Sequence, residues 1–206
     1  MIFTKPLKDI LIAVPTNSSV VAPLVPKLIK WSSMGAEVNI MVSSPLVDYV
    51  RNALVRHFLT TNKEYLLFID SDTIPEVDVP EILLKHKKPI VGGLYNLLMT
   101  DKNGQMVSRP SGFSLIIEGR PLHEGVSVRP KTGLQRVSIT GTGIILIHRD
   151  VFSKIEQPWF EYSWKDKEHI VFDGEDVYFC KKCEKVGIPI YCDTDAIGLH
   201  QKSILI

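Results

Sequence analysis

Cysteine is scarce in this 206-residue chain: three residues, all beyond position 179. An odd, clustered set excludes a disulfide framework and makes a reducing compartment the default reading. Long hydrophobic runs are absent as well, and none approaches the ~20 residues of a membrane-spanning helix. The opening MIFTKPLKDI has no continuous apolar stretch of the secretory kind. Neither sign of charge is in excess, since Lys+Arg 24 against Asp+Glu 23 leaves a formal +1. That balance excludes a protein that tracks nucleic-acid phosphates or is held to anionic lipid by charge alone. Internal repeats and low-complexity tracts are missing too. With 45% hydrophobic and 23% charged residues, the chain can build one proper core and is not disordered. The expectation is a cytoplasmic protein, free or peripheral to the membrane, with no integral membrane segment and no nucleic-acid partner.

What is present is strand–helix alternation. Ile10 to Val14 reads as a buried strand closed by Pro15-Thr16-Asn17. Helical spacing follows from Val20 to Trp31, with Pro23 and Pro26 predicting an irregular or late first turn. Glu37 to Val42 is a second strand. Val47, Val50, Leu54 and Phe58 recur at steps of three and four, one face of a helix. Tyr65 to Ile69 is a third strand, Pro75 to His86 a helix, and Pro89 to Gly92 a fourth strand. Near-continuous apolar strands between amphipathic helices define an α/β fold, with a mostly parallel central sheet covered by helices on both faces.

The second half has a different texture. Residues 97–135 are rich in Gly, Pro, Ser, Lys and Asp, with one strand around Phe113 to Ile117. That composition inside a compact domain reads as a substrate-facing flap, or else as a disordered surface insertion. Order returns with a strand at Gly143 to Ile147, a short helix at Arg149 to Ile155 and a longer one at Glu175 to Val186. Ile188 to Cys192 is the last strand, and a tail follows from Gln201.

The sharpest chemical signal is Asp70-Ser71-Asp72, directly after the third strand. Ligands of parallel α/β sheets bind beyond the carboxyl ends of the strands. Two carboxylates at i and i+2 at such an end can meet one hard cation, Mg²⁺ or Mn²⁺, shared with a substrate phosphate. The alternative is an acidic turn that caps the next segment. Glu175-Asp176 opens a helix, where acidic residues are favourable against the macrodipole whatever else they do.

Taken in order, several stretches resemble the GT-A glycosyltransferases that use nucleotide sugars, especially the large, mostly inverting family 2. They are Leu11 to Thr16, Arg51-Asn52, Asp70-Ser71-Asp72, Gly92 to Tyr95, Gly141-Thr142-Gly143, Gly174 to Val177 and Gly198 to His200. The resemblance implies one GT-A, Rossmann-like domain over residues 1–206. Residues 1–95 would be its nucleotide-binding half and 96–206 its acceptor and catalytic half. It implies transfer of a hexose from a UDP- or GDP-linked sugar to the hydroxyl of a carbohydrate or lipid-linked acceptor, with inversion. Asp72 and His200 would then hold Mn²⁺ or Mg²⁺, with Asp70 beside them or toward the ribose. Pro15, Thr16, Arg51 and Ser71 would line the donor pocket. Gly93, Gly141, Thr142 and Gly143 would let backbone approach the donor sugar. Asp176 would be the general base and Glu175 an acceptor contact. Trp159, Phe160, Tyr162 and Trp164 either pack on the acceptor's C–H faces or close the core edge.

Two other readings compete. An apolar strand followed by D-x-D also marks haloacid-dehalogenase-type phosphatases, but there the motif sits on the first strand. A non-catalytic sugar-nucleotide-binding module is the other, with a structural zinc on Cys180, Cys183, Cys192 and His200. The helical i, i+3 placement of Cys180 and Cys183 beside Phe179 favours small buried hydrophobes instead.

Overall fold

The computed structural model describes residues 5–42, 46–100, 103, 105–114, 126–127, 132–164 and 172–201. β1 (Ile10–Thr16), β2 (Glu37–Val42) and β3 (Tyr65–Ile69) lie parallel, with β1 in the middle. Between them come a 3-10 turn at Ala22–Leu24, α1 (Val25–Ser33) and α2 (Val47–Thr60). The two prolines set the late start of α1, because a proline fits only the first helical turn.

After β3 the chain departs from expectation. Thr73–Pro75 is a short strand, β4, and the helix predicted over 75–86 shrinks to α3 (Val79–Leu84). The cause is distant in sequence, since β4 pairs with the last strand of the fold. β5 (Ile90–Thr100) runs well beyond Gly92 and returns as β6 (Met106–Pro110). β7 (Gly112–Ser114) and β8 (Val126–Ser127) pair with each other, and β9 (Leu134–Val137) and β10 (Ile139–Thr140) follow. The rest of the predicted flap and of the Phe113 to Ile117 strand lies outside the described residues, as does the tail beyond Gln201. The chain continues as β11 (Ile144–His148), α4 (Arg149–Lys154) and the paired β12 (Ser163–Trp164) and β13 (Phe172–Asp173). It closes with α5 (Glu175–Lys185) and β14 (Ile190–His200), the latter far longer than expected.

The main sheet has the order β2-β1-β3-β11-β5-β14-β4, with β6 on β5 and β9 on β14. Five of those seven path strands run one way, and β11 and β4 oppose them. Alternation along the strands divides their side chains between two cores. Leu11, Ala13, Leu66 and Phe68 pack with Leu54 and Phe58 of α2, Phe152 of α4 and Phe179 of α5. Ile10, Ile12, Val14, Leu67 and Ile69 pack with Trp31 of α1 and Leu83 of α3. Each fully buried side chain of this kind contributes ~1.5–3 kcal/mol. The helices therefore cover both faces, as the apolar strands predicted.

Arg149 fixes the far end of α2. Its guanidinium donates to the carbonyls of Phe58 (3.1 Å), Thr61 (2.6 Å) and Lys63 (2.8 Å) and lies over the Phe58 ring. A cation is favourable at a helix C-terminus, and this one anchors the helix that carries Arg51. Cys180, Cys183 and Cys192 are free thiols inside the first core, where burial pushes Cys183 and Cys192 up to about 12. They pack as small hydrophobes. No helix among the described residues is long and apolar enough to cross a membrane.

Candidate active site

The parallel strands end along one edge, where β1 delivers Pro15 and Thr16 and β3 delivers Asp70. β11 runs the other way and so begins at that edge: the Asp70 N–H donates to the Gly143 carbonyl at 3.0 Å. The acidic turn and the Gly141-Thr142-Gly143 turn therefore lie side by side. Between them and the start of α2 opens a cavity of about 290 Å³. Pro15, Thr16, Asn17, Arg51, Asp70, Ser71, Asp72 and Glu175 line it, with Val47 and Val50. The Thr16 hydroxyl is occupied in donating to the Ser19 carbonyl at 2.7 Å, which shapes the loop after β1.

Arg51 is the centre of the cavity wall, with only 2% of it exposed. Its Nη2 donates to Asp70 Oδ1 at 2.7 Å and its Nε to Glu175 Oε1 at 3.2 Å, while its Nη1 is buried without a partner. Burial disfavours the guanidinium charge, yet Asp70 and Glu175 outweigh it and hold Arg51 protonated, raised above its ordinary value. The Phe68 ring lies under the guanidinium carbon at 5.3 Å. Glu175 also accepts from the Thr142 hydroxyl at 3.4 Å. Tyr162 borders the same carboxylate, and desolvation followed by Glu175's charge pushes its phenol up to about 12.

Asp176 follows Glu175 in the first turn of α5, and its Oδ1 accepts the Val177 N–H at 2.7 Å. Desolvation, then the neighbouring Glu175 charge, raises Asp176 to about 6. A carboxylate in that range takes up a proton near neutral pH far more readily than an ordinary aspartate.

His200 reaches the acidic turn through the sheet. In the β4–β14 pair, His200 lies opposite Thr73, and the Gln201 N–H donates to the Asp72 carbonyl at 2.8 Å. His200 Nε2 consequently sits 3.0 Å from Asp72 Oδ2, while its Nδ1 is buried without a partner. Two ligands on adjacent corners of an octahedral ion with ~2.1 Å bonds are ~3.0 Å apart, so this pair fits a divalent cation. Among the described residues no group of three or more His, Cys, Asp or Glu stands together. A magnesium-like ion held by only two protein groups would fill its remaining positions with water and phosphate oxygens. Asp70 is turned to Arg51 instead.

The remaining predicted residues serve the frame. A Cβ on Gly93 would lie 2.6 Å from the Ala196 carbonyl and 2.7 Å from Ile144. Cβ atoms on Gly141 and Gly143 would meet Tyr95, at 2.3 Å and 2.6 Å. The close approach at these glycines is thus to the protein's own side chains and backbone. Tyr95, quoted only as part of a motif, is a buried strut whose hydroxyl accepts the Gly143 N–H at 2.9 Å. Asn52 does not face the cavity. Its Oδ1 accepts from the Trp159 and Phe160 N–H groups, and its Nδ2 donates to the Phe160 and Asp48 carbonyls. Trp159 and Phe160 are core residues, while Tyr162 is 42% exposed. The side chain of Trp164 lies outside the described set.

No protein-family model matches the sequence, and no curated protein matches it at a significant level. Solved structures do. A197 from STIV aligns at a TM-score of 0.61 and 21% identity, over 96% of both chains. GalNAc-T7, solved with UDP, GalNAc and Mn²⁺, aligns at 0.57 and 11% identity over 96% of this chain. S. aureus TarS aligns at 0.50 and 14% identity over 95%. The chain spans 44% of GalNAc-T7 and 37% of TarS. The architecture is a GT-A-like fold, shared with GalNAc-T7 and TarS.

Proposed function

We propose that the protein is a metal-dependent glycosyltransferase that moves a hexose from a UDP- or GDP-linked sugar to an acceptor hydroxyl, with inversion. One observation carries this reading. The acidic turn after β3, the histidine ending β14 and the acidic start of α5 converge on one strand edge. The likeness to GalNAc-T7, itself solved with UDP, GalNAc and Mn²⁺, supports it at the level of fold.

Pro15, Thr16 and Arg51 line the space for the nucleoside. Asp72 and His200 would hold Mn²⁺ or Mg²⁺, which supplies charge neutralisation to the departing diphosphate. Arg51, fixed between Asp70 and Glu175, keeps both carboxylates in place. Asp176 removes the proton from the acceptor hydroxyl, and the oxygen forms its bond to the anomeric carbon. The bond from that carbon to the diphosphate oxygen breaks, and the nucleoside diphosphate leaves with the electron pair. Attack from the face opposite the leaving group inverts the centre.

Thermal unfolding with UDP, GDP and their sugars, in Mn²⁺ and in EDTA, tests the donor site. A ligand at 100 times its dissociation constant adds ~2.7 kcal/mol, roughly 5–11 °C for a chain of this size. The expected result is a manganese-dependent shift with one nucleotide family that disappears in Asp72→Ala. No shift with any nucleotide overturns the reading.

A further inference from the structure

Across α2 from the donor cavity lies a second cleft of about 570 Å³, within the usual size of a small-ligand site. Its walls are the first turns of α2 and the 157–161 loop. Val47, Val50 and Arg51 face the donor cavity, whereas Asp48, Tyr49 and Asn52 line the cleft. One helix diameter, ~10 Å, therefore separates the two. Tyr162 follows the loop, and the charges of Glu175 and Asp48 both act on its phenol.

We propose that this cleft seats the acceptor, and that the acceptor's seated part is a neutral sugar stacked on Tyr49. The inference rests on the transferase reading and adds where its second substrate binds and of what class it is. Tyr49, which lines the cleft, is 57% exposed, whereas Trp159 and Phe160 across from it are buried. A pyranose offers apolar C–H faces to such a ring and hydroxyls at its rim, matching its own apolar body and polar tip. Asp48 Oδ1 at this cleft is buried with no hydrogen-bond partner, an unmet acceptor that a sugar hydroxyl satisfies.

Charge selects against a phosphorylated ligand. Asp48 and Glu161 face a single cation, Arg56. A phosphate would enter a site with no cationic excess. The cleft is also built in advance. Asn52 clamps the loop to α2 through Trp159 and Phe160, and Lys182 Nζ donates to the Glu156 (2.6 Å) and Pro158 (2.8 Å) carbonyls from the other side. A rigid wall loses little freedom on binding.

The test is saturation-transfer NMR on the full chain with methyl glycosides of glucose, galactose, mannose and N-acetylglucosamine. Glucose 6-phosphate serves as the charged comparison. At least one methyl glycoside should receive saturation at its ring C–H protons. Tyr49→Ala should weaken that binding about tenfold, as loss of one aromatic contact predicts, and Tyr49→Phe should retain it. Equal binding in wild type and Tyr49→Ala, no saturation of any methyl glycoside, or tighter binding of glucose 6-phosphate each overturns the proposal. Nucleotide-induced thermal shifts on the same samples read the donor site separately. A persisting shift with no glycoside binding defeats the cleft alone, whereas a missing shift in wild type defeats the transferase reading beneath it.

Discussion

Arg51 Nε lies 3.2 Å from Glu175 Oε1, joining the middle of α2 to the first residue of α5. The same guanidinium holds Asp70 at 2.7 Å, so one buried cation ties the acidic turn to the acidic helix. Both carboxylates are largely shielded from water, and this arginine meets the charge of each.

Removing that charge should be costly. Breaking a buried pair by deleting one partner typically destabilises by ~3–5 kcal/mol, because the other charge is stranded. Arg51→Met is expected to lose that amount in urea denaturation. Arg51→Lys should fall between it and wild type, since an ammonium cannot fork to two carboxylates. A loss below ~1 kcal/mol for Arg51→Met would sink this account.

Asp176 sets a pH dependence of opposite consequence for turnover and stability. Its carboxyl, raised to about 6, is a working base only once deprotonated, so turnover should climb through pH 6. Asp176→Asn is expected to lose ~10²–10⁴-fold in turnover while keeping the nucleotide-induced thermal shift. For stability, the folded state binds the proton more tightly than the unfolded chain between about pH 4 and 6. This group's contribution therefore falls as pH rises through that window. Above it, Asp176→Asn should melt higher than wild type. Turnover unaltered in Asp176→Asn would remove it from the role of base.

Gly93 separates a frame role from a ligand role. A Cβ there meets the Ala196 carbonyl and Ile144, neither of which can swing away cheaply. Overpacking of this kind costs ~1–3 kcal/mol, and Gly93→Ala should lose that in chemical denaturation. Nucleotide affinity of the folded fraction should be unchanged. Full stability with lost affinity would return Gly93 to the ligand.

The early strands were legible because they carry their own signal. Leu66 to Ile69 and Ile10 to Val14 are apolar on both faces, and that pattern needs a sheet covered twice. Pro15, Thr16, Arg51, Asp70, Ser71, Asp72 and Glu175, far apart in sequence, share one cavity. β4 was not legible, since Thr73–Pro75 is a strand only because β14 arrives beside it. Tyr95 and Asn52 escaped for a similar reason: each acts through backbone groups of a remote loop, which no local pattern announces. Of the aromatic stretch before α5, Trp159 and Phe160 close the core edge, while Tyr162 is 42% exposed.

The His200–Thr73 register carries a consequence for how the protein comes into being. His200 and the Asp72 turn meet only when the end of β14 docks beside β4. Pairings so far apart in sequence form late, after the loop-closure entropy of the intervening chain has been overcome. The pairings of β1 with β2 and β3, by contrast, all lie within the first seventy residues. A refolding chain should thus regain its secondary structure before the His200–Asp72 contact forms, and the interval between the two times the closure of the last strand.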